Sequence, residues 1–327
     1  MNPATKLSIK EKLFAHIETW RPYTVLWCGL VSLAGACLTW KSLPPLHITI
    51  FVILAPMCGW IAGLYLSDFL DRKLDAIEKP HRPIPSGRIK PKEALIAGGI
   101  FVIIGTILSI YLGVNNFLLV FIVAILVLLY TYFSKSRGII GNLNRGFVTV
   151  IAFLYGAFSS NDPITSLPLY IWILTPVFLL HDTNSNLVGA IRDMEGDKKG
   201  GYQTIPVKYG IKISIIISII LSIAWVSMVI MIPYYYQFVS PAYYYILILD
   251  IGILLSFYIY FFYSLKNYSR EKALNYHEFF VIERITLASA FIFGIVNPLT
   301  AGIIYAITLL LTIFFQALLR KRYEFEV

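Results

Sequence analysis

Five aspartates in two separate stretches of the sequence have a spacing that suits a shared metal ion. Asp68, Asp71 and Asp75 are three and four residues apart, so on one continuous helix they lie along one face. Asp193 and Asp197 repeat the four-residue spacing much later in the chain. Stacked carboxylates repel one another, and oxygen ligands without a nearby His or Cys favour a hard cation such as Mg²⁺. The two motifs therefore predict a magnesium site; the alternative is a pair of solvated helix ends balanced by neighbouring Lys and Arg.

Basic residues accompany both acidic motifs and suit a phosphate ligand. Mg²⁺ bound by carboxylates usually completes its coordination with substrate phosphates. Arg can bind phosphate oxygens in a bidentate manner, and Lys supplies a point charge. The candidates for binding a diphosphate are Arg72, Lys79, Arg82, Arg88, Lys135, Asn142, Arg192 and Lys198. The alternative is that these loop cations serve only to orient the protein in a membrane.

A polar stripe precedes the second acidic motif. Asp182, Asn186, Asp193 and Asp197 recur at offsets of four, seven and four residues, close to one stripe of a helix. A charge in the middle of a membrane costs about 2.5–3.5 kcal/mol on insertion scales. We therefore expect Asp182 to face a polar cavity or partner, the alternative being a hydrogen-bonded contact between helices.

The elements that must position these residues are membrane helices. Of the 327 residues, 58% are hydrophobic and 14% are charged, whereas a soluble domain carries about 25% charge; this composition excludes a soluble protein. The predicted spans are 22–40, 46–66, 94–112, 117–133, 147–159, 169–190, 213–234, 242–265 and 281–319. The last is interrupted at Asn297-Pro298 and is either one kinked helix or two helices. The sequence predicts nine or ten crossings.

The distribution of charge predicts the orientation of these spans. The formal net charge of +9 could indicate a nucleic-acid partner, but the basic residues fall in alternate short loops, as in membrane proteins whose basic loops face the cytoplasm. Both acidic motifs lie on that side. We expect one domain over residues 1–327, with two weakly similar halves at about 22–133 and 143–265 and a C-terminal helical segment at 281–319. A site between paired halves is a common membrane arrangement.

These motifs resemble those of the UbiA-type intramembrane prenyltransferases. The family's first signature is Asn-Asp-x-x-Asp-x-x-x-Asp followed by Lys-Pro-x-Arg-Pro-Ile-Pro-Ser-Gly, and here it runs over 67–75 and 79–87. The second signature is similar to the series Asp193, Asp197, Gly201, Thr204 and Pro206. Arg21-Pro22 and Lys135 with Gly141-Asn142 are similar to further family features. Ser67 stands where the family usually has Asn, and its hydroxyl can offer a ligand or hold a metal-bound water, although it lacks the amide.

The resemblance implies an all-α, polytopic bundle of nine or ten transmembrane helices around a central cavity with cytoplasmic cap loops. It implies transfer of a prenyl group from a polyprenyl (allylic) diphosphate to a lipophilic acceptor, with membrane lipid around the protein and no nucleic acid. Two Mg²⁺ ions would be held by Ser67, Asp68, Asp71, Asp75, Asp193 and Asp197. The implied catalytic acids are Asp71, Asp75, Asp193 and Asp197, and Arg21, Asp182 and Asn186 are candidates for lining the cavity or binding the acceptor.

The expected acceptor and compartment rest on general properties of the family and of membrane proteins, and no single residue of this sequence determines them. An aromatic or quinone-precursor acceptor is favoured because it is the commonest in the family; a glycerol-phosphate lipid, a carotenoid or cyclisation of the prenyl chain itself are the alternatives. A cation-coupled secondary transporter is the alternative of another class, but transporter carboxylates generally lie near the bilayer midplane. We expect a multi-pass protein of a prokaryotic cell membrane with its active site on the cytoplasmic side.

Overall fold

Residues 8–160 and 166–325 are described by a computed structural model, in which all regular structure is helical. The helices are α1 (Ile9–Trp20), α2 (Pro22–Trp40), α3 (Leu46–Glu78), α4 (Pro91–Leu112), α5 (Val114–Leu129), α6 (Ile139–Ala157), α7 (Leu169–Lys199), α8 (Ile205–Tyr236), α9 (Ala242–Ser264), α10 (Arg270–Ile295), α11 (Pro298–Phe315) and the short α12 (Lys321–Glu324). One π-helical turn, Tyr130–Ser134, follows α5, and another, Gln316–Arg320, follows α11. The all-α prediction is confirmed.

The last apolar stretch forms two helices. α10 ends at Ile295 and α11 begins at Pro298, where the missing N–H of proline costs no helical hydrogen bond. The side chain of Asn297 caps α11 by accepting a hydrogen bond of 2.9 Å from the backbone N–H of Leu299. Within the described residues, ten long helices, α2 to α11, form the bundle, and eight of them are long and apolar enough to cross a membrane.

The other two long helices, α7 and α10, are more polar because they pack inside the bundle. His181 on α7 lies 2.8 Å from the carboxylate of Glu283 on α10, and both side chains are buried. Polar groups that would be costly against lipid find partners in this way. The two helices are central elements of the fold, and α7 carries the second acidic motif.

The helices that carry the acidic motifs are longer than a bilayer core requires. α3 has 33 residues and α7 has 31, which corresponds to ~50 Å and ~46 Å of helix, against a hydrocarbon core of about 30 Å. The helices therefore continue past the ends predicted for their spans, residues 66 and 190. The prediction that each set of acids lies on one continuing helix is confirmed.

Glycines bring α2 and α6 into backbone contact. A Cβ atom added to Gly156 on α6 would lie 1.7 Å from the carbonyl oxygen of Ser32 on α2. On the opposite side of the contact, a Cβ on Gly35 would lie 2.1 Å from the carbonyl oxygen of Phe153. Small residues allow such close approach of membrane helices. The pair fixes α6, and with it the cavity wall described below, against the centre of the bundle.

We predict that Gly156→Ala destabilises the protein, because the obstructing atoms belong to the backbone of α2 and cannot rotate away. Overpacking of this kind costs about 1–3 kcal/mol or more. The measurement is the apparent melting temperature of the purified protein in detergent. Gly252→Ala on α9 is the matched control, since a Cβ there meets nothing within 4 Å and alanine favours a helix by about 0.5–1 kcal/mol. Equal melting temperatures for the two variants would contradict the prediction.

Candidate active site

A cavity of about 710 Å³ lies inside the bundle. Much of its wall is apolar and comes from α3, α4, α5 and α6. This part of the wall includes Phe101, Val102, Leu119, Val123, Val127, Val148 and Ile151. The opposite end, which we call the polar end, is lined by the acids of α3 and α7 and by basic residues of the following loops. The central cavity expected from the family resemblance is present in the structure.

The two acidic motifs meet at the polar end. Asp68, Asp71 and Asp75 of α3 line the same cavity as Asp193 and Asp197 of α7. A direct link is made by the residue that follows α3, because Lys79 Nζ lies 3.7 Å from a carboxylate oxygen of Asp193. A second link joins Lys199 Nζ to Glu78 at 3.9 Å. Acids from distant parts of the chain therefore face one volume.

Each acid of α3 is paired with a cation. Arg82 Nη1 donates hydrogen bonds of 2.9 and 3.1 Å to the carboxylate of Asp75. Lys135 Nζ lies 2.5 Å from Asp71, which also accepts a hydrogen bond of 3.3 Å from the hydroxyl of Ser67. Asp68, about one turn before Asp71 on the helix, binds Arg21 and the Tyr323 hydroxyl.

The two aspartates of the second acidic motif, Asp193 and Asp197 on α7, have opposite electrostatic surroundings. Burial opposes ionisation of Asp193, but Arg192 and Lys79 outweigh it and lower its pKa to about 2. Burial and the neighbouring charge of Asp193 raise the pKa of Asp197 to about 7. The hydroxyl of Thr204 donates a hydrogen bond of 3.1 Å to the carboxylate of Asp197. No cation of the described residues lies within 4.0 Å of that carboxylate. Asp197 is therefore the acid of this motif whose negative charge no nearby cation balances.

Four of the predicted diphosphate-binding cations gather at the polar end: Lys79, Arg82, Lys135 and Arg192. Burial and the charge of Arg82 lower the pKa of Lys79. Burial likewise opposes the charge of Lys135, but Asp71 outweighs it and raises the pKa. Arg82 also stacks 4.2 Å from the ring centroid of Tyr323. The four side chains create a positive surface next to the carboxylates.

Three other predicted cations lie outside this surface. Arg88 forms a two-pronged ion pair with Glu18 of α1, at 2.6 and 2.9 Å, and donates to the carbonyl oxygen of His81. Arg72 donates to the carbonyl oxygen of Phe69 and stacks on its ring. Lys198 is exposed at the end of α7. None of the three lines the cavity. Arg88 instead anchors the loop after α3 to α1.

The remaining candidates divide in the same way. The side chains of Asn142 and Asn186 meet at 2.8 Å, and both line the cavity, as does Arg21. Asp182 is buried and outside the cavity lining. It interacts electrostatically with Arg284 of α10, but its Oδ2 atom has no hydrogen-bond partner, so the structure shows neither a position in the cavity lining nor the hydrogen-bonded helix contact of the alternative.

Sequence reasoning missed a residue at the centre of the positive surface. Glu324 on α12 is 6% exposed at its side chain, and its carboxylate lies 3.0 Å from Lys79, 3.4 Å from Arg192 and 3.7 Å from Arg82. Arg270 lies 3.8 Å away. The neighbouring Tyr323 contacts Asp68. No motif marks this pair; the only signal is a short charged run after an apolar helix.

The donor atoms at the polar end fit Mg²⁺ when a phosphate ligand is counted. No three His, Cys, Asp or Glu side chains of the described residues gather closely enough to hold a metal alone. Mg²⁺, however, usually takes one or two carboxylates and completes its coordination with phosphate oxygens and water. Asp71, Asp193, Asp197 and the Ser67 hydroxyl offer such oxygens beside the cations that a phosphate needs.

Comparisons with known proteins agree with this geometry. Residues 25–283 match the model of the UbiA prenyltransferase family. A digeranylgeranylglyceryl phosphate synthase of Methanosphaera stadtmanae is 32% identical over 224 residues, which is 67% of this chain and 79% of that protein. The enzyme of the same name from Pyrococcus horikoshii is 30% identical over 204 residues, 62% of this chain and 72% of that one.

Solved structures show the same fold. A structure described as digeranylgeranylglyceryl phosphate synthase has a TM-score of 0.65 at 26% identity and covers 87% of this chain and 98% of its own. A UbiA homolog from Archaeoglobus fulgidus, bound to GPP and Mg²⁺, has a TM-score of 0.58 at 16% identity and covers 93% and 99%. The family match spans most of the sequence. The chain therefore belongs to the UbiA prenyltransferase family and is a multi-span membrane prenyltransferase.

Proposed function

We propose that this protein transfers a prenyl group, in the presence of Mg²⁺, from an allylic diphosphate to a hydroxyl group of a glycerophosphate lipid. The observation that carries the proposal is the convergence of five aspartates and four cations at one end of a cavity with a largely apolar wall. A diphosphate with its metal ions matches the charges of that end, and a prenyl chain matches the rest.

The polar end would bind the diphosphate through charge-assisted hydrogen bonds. Arg82 and Arg192 can grip phosphate oxygens with two N–H groups each, and Lys79 and Lys135 add point charges. Asp71, Asp193 and Asp197 would hold Mg²⁺, which as a Lewis acid stabilises the negative charge of the leaving diphosphate. The A. fulgidus homolog, which binds GPP and Mg²⁺ together, supports this pairing of ligands.

The apolar wall serves the reactive part of the donor. When the bond between the allylic carbon and the diphosphate oxygen breaks, the electron pair leaves with the diphosphate and the carbon becomes cationic. Water would capture that carbon, so the cavity must exclude it until the acceptor oxygen forms the new bond and loses its proton. The fixed positive charges stabilise the diphosphate as its negative charge develops.

The acceptor is assigned from the relatives. The sequence alone favoured an aromatic or quinone precursor, and the comparisons do not support that preference, because the relatives described above are named for digeranylgeranylglyceryl phosphate. A glycerophosphate lipid was among the alternatives. We also propose that the polar end faces the cytoplasm of a prokaryotic cell, since the basic loops surround it, and that residues 1–327 act as one domain.

The test is product identification with purified protein in lipid nanodiscs, Mg²⁺ and radiolabelled geranylgeranyl diphosphate. Two acceptors are compared, geranylgeranylglyceryl phosphate and 4-hydroxybenzoate. We expect a diether phosphate from the first, release of diphosphate in equal amount, no product from the second, and loss of turnover with EDTA. A prenylated aromatic acid, or a cyclised terpene formed without acceptor, would overturn the acceptor assignment.

A further inference from the structure

Two arginines of the cavity lack the acidic partners that the polar-end cations have. Arg284 on α10 is 2% exposed, and its Nε and Nη2 atoms have no hydrogen-bond partner. Arg145 on α6 stacks 4.2 Å from the ring centroid of Trp60. Both line the cavity, and no carboxylate oxygen of the described residues lies within 4.0 Å of either guanidinium. A third arginine, Arg320, is by contrast bound to His277 and Gln316.

Such charges are costly unless something compensates them. A buried ion without a partner loses its hydration, and several kcal/mol are at stake. Asp182 is the acid that interacts with Arg284 through space, yet its Oδ2 atom has no hydrogen-bond partner either. If Asp182 and Arg284 were a purely structural ion pair, a direct hydrogen bond would join them. Arg284 instead remains open to the cavity.

The two arginines line the same cavity, one from α6 and the other from α10. Each faces an aromatic ring and not an acid: Arg145 lies 4.2 Å from the ring centroid of Trp60, and Arg284 lies 5.7 Å from that of Trp27. Their charges repel each other across the cavity. Two cations of one cavity that have no acidic partner favour an anion supplied by a ligand.

The two arginines are distinct from the cations that would bind the diphosphate. Arg284 follows Arg270, which belongs to the polar end, by fourteen residues on α10, so it lies deeper along the cavity wall than that end. The donor has its anionic groups at the polar end, and the rest of it is hydrocarbon. A second anion in the cavity must therefore come from the acceptor.

We propose that Arg145 and Arg284 form a second anion subsite, which binds the phosphate monoester of the acceptor lipid and so places its hydroxyl toward the allylic carbon. The inference rests on the proposed function for the identity of the anion. The carboxylate of an aromatic acid is also an anion that arginine can bind, and the binding experiment distinguishes it from the lipid phosphate. The subsite gives the cavity a preference for phosphorylated over neutral acceptors.

The first test is donor-free binding, followed by tryptophan fluorescence because Trp27 and Trp60 flank the two arginines. The polar end is saturated with pyrophosphate and Mg²⁺, and the protein is titrated with an alkylglyceryl phosphate, the matching neutral alkylglycerol and 4-hydroxybenzoate. We expect the phosphate lipid to bind most tightly. Arg284→Gln and Arg145→Gln should each weaken its binding at least tenfold, while the exposed Arg137→Gln, outside the cavity lining, should not.

The second test is kinetic. Both variants should raise the KM for the phosphorylated acceptor at least tenfold, leave the KM for the prenyl diphosphate unchanged, and reduce the discrimination against the neutral acceptor. Arg284→Lys should recover part of the loss. Equal losses with charged and neutral acceptors, or a raised donor KM, would overturn the subsite, as would preferential binding of 4-hydroxybenzoate.

The two proposals fail in different ways. If the wild-type protein binds the phosphate lipid through these arginines but forms no prenylated lipid, the proposed function is wrong and the subsite stands. If the wild-type protein makes the lipid and both variants keep its acceptor KM, the subsite is wrong and the function stands. Arg145, which is partly exposed to the cavity, keeps the test valid should Arg284→Gln not fold.

Discussion

Replacement of Asp71 or Asp197 by Asn is expected to lower kcat for prenyl transfer at least about a thousandfold. Each change replaces a carboxylate that can bind a metal ion with a neutral amide and keeps the shape of the side chain. A metal ion that neutralises a leaving diphosphate contributes several kcal/mol to transition-state stabilisation, and each 1.36 kcal/mol is a factor of ten in rate. The measurement is single-turnover release of diphosphate from a labelled donor at saturating acceptor.

The Mg²⁺ dependence separates a metal role from a structural one. If these acids hold the metal, both variants should need a higher Mg²⁺ concentration for half-maximal rate, while their melting temperatures stay near that of the wild type. Asp250→Asn is the matched control, because Asp250 is a buried acid of α9 outside the cavity lining. Activity of Asp71→Asn and Asp197→Asn within tenfold of the control would contradict the assignment.

The sequence predicted the elements that follow a strong local pattern. The spacing of the acids required α3 and α7 to continue as helices beyond the apolar spans, and both do. The loop after α3 places Lys79 and Arg82 at the polar end as expected. Hydropathy alone gives a weaker signal for α7 and α10, because buried helices in a bundle tolerate polar side chains that a lipid-facing helix does not.

Motif membership did not show which cations face the ligand. Arg88 directly follows the first signature, which contains Arg82, yet it pairs with a buried acid on α1, Glu18, and lies outside the cavity lining. That pairing joins residues seventy positions apart, and no local pattern marks it. Arg145 and Arg284 show the opposite case, since they belong to neither signature and reach the cavity through the packing of α6 and α10.

The second large effect is expected at Glu324. Its carboxylate occupies the positive surface that a diphosphate needs, in contact with Lys79 and within 4.0 Å of Arg82 and Arg192. A donor must compete with this charge for the same N–H groups. Glu324→Gln should therefore lower the KM for the prenyl diphosphate, and the inhibition constant of pyrophosphate, at least about tenfold, which corresponds to ~1.4 kcal/mol of binding free energy.

Although Glu324→Gln should strengthen binding of the donor, it should lower the stability of the protein without ligand. Without Glu324, the cations at the polar end repel one another with less compensation, so the apparent melting temperature without ligand should fall. Saturating pyrophosphate should restore it, since a ligand that binds only the folded state stabilises that state in proportion to its affinity. Glu271→Gln is the matched control, because Glu271 is exposed and lies 3.9 Å from Lys321 at the surface. A raised donor KM for Glu324→Gln would mean that Glu324 helps to hold the cations in place for the substrate and does not compete with it.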